Sequence, residues 1–178
     1  MNIISLPLLR FVLLSAIRDR LIISLIVMVV IATSLSVFLG SAAVTETDYF
    51  AVSYAAGAMR FVGVLGLVLF ISFYIRRAFD TKDVDLTLTR PISRASFLVS
   101  HSVAFSLIGV FMAFLTSLAL FVISFHLFGP GHLLWAFSIM VEFIIVANAA
   151  LFFSMVLSSS SSAALATFGL YVLSRLMG

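Results

Sequence analysis

Five stretches of this chain are apolar over lengths that a soluble core does not require: Leu21 to Ala43, Val52 to Ile75, Phe97 to Phe128, His132 to Leu157 and Ala163 to Met177. Their backbone constrains the fold before any side chain is considered. In hydrocarbon every N–H and C=O must find its partner within the protein, so only helices and closed barrels cross a bilayer. Barrel strands alternate apolar and polar residues over segments of about ten. These runs are continuous and longer. At ~1.5 Å per residue, about 20 residues in a helix cross a ~30 Å core. Charged residues make up 10% of the chain and hydrophobic ones 63%, against about 25% charged in a soluble domain. The expectation is a single all-α domain, a polytopic transmembrane helical bundle. The run Ala163 to Met177 is short for a full span, so the last helix is expected to be truncated or to lean on a partner.

Before the first run, residues 1–20 are apolar but interrupted by Pro7 and Arg10, and they close on Arg18, Asp19 and Arg20. The stretch from Phe11 to Ile17 is short for the core of a signal peptide, and no A-x-A site follows. An interfacial helix lying on the inner leaflet is expected there, which makes about five spans after an interfacial N-terminal helix. Residues 44–50 form a short loop, and Gly129-Pro130-Gly131 a tight turn. The serines from Ser158 to Ser162 form a flexible polar connection.

The distribution of basic residues orients the chain. Eight of the ten Lys and Arg residues precede the first run or lie between the second and third. Lys and Arg favour the cytoplasmic side. The N-terminus, the segment 76–96 and the serine run are therefore expected inside, with 44–51 and 129–132 outside. The pI near 9.8 follows from this bias and implies no nucleic-acid partner; the bilayer is the partner.

Arg76 to Arg94, RRAFDTKDVDLTLTRPISR, is the only long polar segment. It holds five of the ten basic residues and three of the seven acids. Asp80 and Asp83 can cap a helix start. A short helix from Asp80 to Leu88 is expected, ending at Thr89-Arg90-Pro91 because the residue before proline avoids the helical region. Val84, Leu86 and Leu88 interrupt its polar face beside Asp85. Arg94 then stands where the chain re-enters the membrane. The plain alternative is a solvated loop whose basic residues only set orientation.

Leu86 to Leu98, LTLTRPISRASFL, resembles the permease subunits of type-2 ABC transporters. There a leucine-rich helix end runs into Pro, a small residue and Arg, and then into the third span. The serine run followed by AALATFGLYVL also resembles that family's connection between fourth and fifth spans. The resemblance implies a permease subunit, an exporter in a bacterial inner membrane, paired with a second permease copy or homologue. It implies a separate cytoplasmic ATP-binding subunit docked at a coupling helix formed by Asp80, Asp83, Val84, Asp85, Leu86, Leu88, Arg90, Pro91 and Arg94. The chain has no G-x-x-x-x-G-K-[ST] loop, so ATP is expected to be the partner's ligand and this chain to carry no cofactor. Competing readings are a small substrate-capturing membrane subunit of an energy-coupling-factor transporter, and a membrane assembly factor or enzyme. Lipid, drug, peptide, haem and ions are all compatible substrates.

Inside the runs, charge is rare. Glu142 lies about ten residues into the fourth run, ~15 Å deep by helix rise, where an ionisable group is costly and paired or functional. Arg60 in the second run is its candidate partner; the alternative is a snorkelling arginine and a protonated acid. Asn148 is placed to hydrogen-bond between helices. Gly63 and Gly66 read as helix-packing positions. His101, His126 and His132 lack metal-ligand spacing and read as interfacial. Tyr74 and Trp135 fit an interfacial aromatic belt. No catalytic arrangement and no metal set stands out, and the absence of cysteine excludes disulfides and thiolate sites.

Overall fold

The computed structural model describes residues 5–18, 21–41, 47–81, 94–123, 125 and 129–177. These residues form six helices: α1 (Leu6–Arg18), α2 (Leu21–Ser41), α3 (Thr47–Asp80), α4 (Arg94–Ile123), α5 (Pro130–Val156) and α6 (Ser160–Met177). No strand occurs among them. Val52–Asp80, Ala95–Ile123 and Pro130–Val156 are each long and apolar enough to cross a membrane. The chain is an all-helical membrane protein. α2 contributes the shorter apolar stretch Ile26–Phe38.

α3 is the axis of the bundle, packed against α2, α4, α5 and α6. Val64, Leu67, Val68, Ile71 and Ile75 line its buried side. Phe105 and Met112 reach it from α4, and Ile139 and Phe143 from α5. Phe38, Phe114, Leu134, Phe137 and Phe152 lie on the outside, all at least 60% exposed. Helices apolar on both the packed and the outer side belong in lipid, where the outer residues cost nothing to expose.

Two glycines set how closely the central helices approach. Phe143 of α5 is fully buried, and its ring lies against Gly63 of α3, where even a methyl group would overlap it. On the other side, a Cβ at Gly109 of α4 would stand 3.2 Å from the Phe143 carbonyl oxygen. Asn148 then fastens α4 to α5. Its amide donates to Ser106 Oγ at 3.0 Å and to the Ile144 carbonyl at 2.8 Å, and its carbonyl oxygen accepts from the Ser102 hydroxyl. Further on, Ser154 of α5 donates to Ser72 of α3 at 3.4 Å.

Several boundaries differ from the sequence expectation, each for a local reason. Pro7 and Arg10 do not break the first helix. Pro7 sits in the first turn of α1, where its missing N–H removes no helical bond, and Arg10 is exposed. α1 also packs against the bundle: Val12 and Ala16 are buried, and the Ser5 N–H donates to Ser100 Oγ of α4 at 3.0 Å. The loop expected at 44–50 gives way to helix from Thr47. α3 runs past Ile75 to Asp80, its last turn closed by an Arg76–Asp80 pair at 3.1 Å. Asp80 thus ends α3 instead of opening a new helix. α4 begins at Arg94, short of the expected Phe97, and ends at Ile123.

The serine run is mostly helix. α5 stops at Val156, and α6 starts at Ser160. Ser159 serves as its cap, with its Oγ accepting from the Ser162 N–H at 3.5 Å and its carbonyl accepting from the Ala163 N–H at 3.0 Å. Serine is among the best residues for this position.

Candidate functional site

α3 and α5 start at the same end of the bundle and run side by side. Arg60 stands 13 residues into α3 and Glu142 12 residues into α5. The shared direction brings them level, and Arg60 Nε lies 3.2 Å from Glu142 Oε2. Their side chains are 13% and 17% exposed. The contact at Nε is a charge contact without hydrogen-bond alignment, and Glu142 Oε1 has no hydrogen-bond partner among the described residues. α6 runs the opposite way and delivers Tyr171 beside the Glu142 carboxylate, with Arg60 and Arg175 close by. Phe168, one turn back on α6, packs edge-on against Phe61 of α3 at 5.6 Å.

Beside this group is a cavity of about 460 Å³, lined by Ser53, Gly57, Arg60, Trp135, Tyr171 and Arg175, among others. Two arginines and one carboxylate leave the site with an excess of one positive charge. Arg175 makes no ion pair among the described residues. A second cavity of about 650 Å³ lies between α2 and α3 and is almost wholly apolar, with Met28, Ile31 and Leu35 on one wall and Tyr54 and Val62 on the other. Ser53, Gly57 and Phe61 line both. Both volumes fall in the ~300–1,000 Å³ range of small-molecule sites.

The remaining expected site residues are placed as follows. Asp80 is the last residue of α3, and Arg94 the first of α4. Asp83, Val84, Asp85, Leu86, Leu88, Arg90 and Pro91 lie outside the described residues, as does His126. Asn148 belongs to the α4–α5 contact and does not reach the Arg60–Glu142 group. His101 is buried within the bundle: it is 4% exposed, with Nδ1 3.0 Å from the Phe97 carbonyl and its ring 4.2 Å from that of Phe97. His132 Nδ1 accepts from the Gly129 N–H at 3.3 Å, closing the first turn of α5. Among the described residues no group of three or more His, Asp or Glu side chains could hold a metal ion.

Tyr171 and Arg175 are the site residues that sequence reasoning missed. The signal available was spacing: four residues apart, they share one face of α6. No protein-family model, curated protein or solved structure matches this chain.

Proposed function

We propose that the chain is the membrane-spanning permease subunit of an ABC-type transporter, an exporter, driven by a separate ATPase subunit that docks on the segment 76–94. The observation that carries this reading is how that segment is attached. Its polar residues are tethered on one side to α3, the axis of the bundle, and on the other to α4, which packs on α3 and α5. A force applied between Asp80 and Arg94 therefore acts directly on two long apolar helices.

In this reading the five apolar runs, α2 to α6, are spans and α1 is the interfacial helix. The Lys and Arg bias supports a cytoplasmic N-terminus and a cytoplasmic segment 76–94, and the resemblance to type-2 ABC permeases implies a bacterial inner membrane. A second permease copy or homologue completes the transporter, and ATP is bound by the partner subunit.

Replacing Leu86 and Leu88 by Asp tests this reading. Neither residue lies in an apolar run, so membrane insertion should be unchanged, while co-purification with the ATPase and transport in reconstituted vesicles should both be lost. Normal ATPase binding and transport by that variant would reduce segment 76–94 to an orientation signal. The cavity at the opposite end of the bundle favours a second reading, a substrate-capturing subunit of an energy-coupling-factor transporter. That reading expects the chain to co-purify with a separate membrane scaffold and not with the ATPase alone.

A further inference from the structure

We infer that the two cavities flanking Gly57 form one binding site for an anionic amphiphile, a phosphate or carboxylate headgroup carried on an apolar chain. The site stands on the geometry of α2, α3, α5 and α6 and is independent of whether an ATPase docks on segment 76–94.

The charge distribution selects the headgroup. Arg60 meets Glu142 through Nε and also lines the cavity between α3, α5 and α6. Arg175 lines the same cavity and makes no ion pair among the described residues. A guanidinium presents five donors in a fixed fork suited to carboxylate and phosphate oxygens. Tyr171, Ser53 and Trp135, each carrying a hydrogen-bonding group, line the same cavity. Such a wall binds an anion better than a cation or a neutral group, because one positive charge remains after Arg60 and Glu142 cancel.

The shape selects the tail. The cavity between α2 and α3 shares Ser53, Gly57 and Phe61 with the charged one, and its other walls are apolar. At the crossing the backbone is bare: a Cβ on Gly57 would meet nothing within 4 Å. The glycine is therefore not needed for helix packing, and it keeps the wall low where a basic chamber and an apolar one adjoin. A molecule with one anionic end and one apolar end matches that sequence of surfaces. Free inorganic phosphate would use only half of it.

Trp135 is the only tryptophan in the chain and lines the charged cavity, so its fluorescence reports occupancy. The full chain is reconstituted in phosphatidylcholine nanodiscs and titrated with phosphatidylglycerol whose acyl chains carry bromine, a contact quencher. Brominated phosphatidylcholine is the control. Phosphatidylglycerol should quench at a lower mole fraction than phosphatidylcholine. Arg175→Gln, at an exposed position near the end of α6, should weaken that preference roughly fivefold, the factor that one basic residue near an anionic lipid contributes. Gly57→Leu should also weaken it, by placing a bulky side chain where the two cavities adjoin, at a position whose Cβ meets nothing within 4 Å. Inorganic phosphate at millimolar concentration should leave the quenching unchanged.

Equal quenching by the two lipids in the wild-type chain would overturn the proposal, as would an unchanged preference in Arg175→Gln. Displacement by inorganic phosphate would assign the site to a free anion and remove the tail from it. A change of oligomeric state in Gly57→Leu would assign the α2–α3 groove to a second copy of the chain, and would equally overturn it.

Discussion

Arg60 and Glu142 show what a bilayer does to a charged pair. Each alone inside an apolar run costs about 2.5–3.5 kcal/mol on insertion scales, and the pair recovers part of that by contact at 3.2 Å. Removing one partner strands the other. Glu142→Leu should destabilise the protein by about 3–5 kcal/mol, the usual result of breaking a buried pair. The double variant Arg60→Leu, Glu142→Leu should recover most of the loss, because well-packed apolar side chains replace buried ions at little cost. Chemical denaturation in detergent micelles measures both, and a double variant no better than the single would show that the pair itself is not what holds α3 to α5. This pair was legible in the sequence because charge is so scarce there: an acid and a base within apolar runs have few possible partners. Tyr171 and Arg175 were not. Their relation to Glu142 depends on how far α6 is shifted along α3 and α5, and that shift is set by packing between helices distant in sequence.

At the scale of elements, apolar length identified the long helices, while their ends were decided by local chemistry. Pro7 reads as a breaker from composition and is harmless within the first turn of α1. Ser160 to Ser162 read as linker and form the first turn of α6, because Ser159 satisfies its N–H groups. Asp80 reads as a helix start and closes α3 through Arg76. Where two helices meet, sequence showed small residues without showing which pair approaches. The structure singles out Gly109, whose missing side chain lets the Phe143 backbone come close. The backbone cannot yield as a flexible side chain can. Gly109→Val should separate α4 from α5, break the Ser102–Asn148–Ser106 bonds and cost roughly 1–3 kcal/mol by overpacking. Gly57→Val, facing open space, should cost little. Thermal aggregation of the two variants in the same detergent compares them, and equal loss would show that α4–α5 contact at Gly109 is not limiting.

For the whole molecule, the bundle has two unlike ends. At one, α3 ends in Arg76, Arg77 and Asp80, and α4 begins at Arg94. At the other, α3 and α5 begin and α6 ends around a basic cavity with an apolar extension. α3 alone, 34 residues, is ~50 Å long at ~1.5 Å per residue, more than the ~40–45 Å of a bilayer with its headgroups. Both its ends can therefore reach water on opposite sides. The proposed transporter, driven from the polar end with its ligand held near the other, requires that arrangement.

The chain has no cysteine, so a single introduced thiol reports its own position. Thr47→Cys and Thr81→Cys lie at opposite ends of α3, and each is treated in intact cells with a membrane-impermeant thiol reagent. Labelling of Thr47→Cys alone is expected, with Thr81→Cys labelled only after the membrane is opened. Labelling of both from outside, or of Thr81→Cys alone, would contradict the membrane orientation on which the docking of an ATPase at segment 76–94 depends.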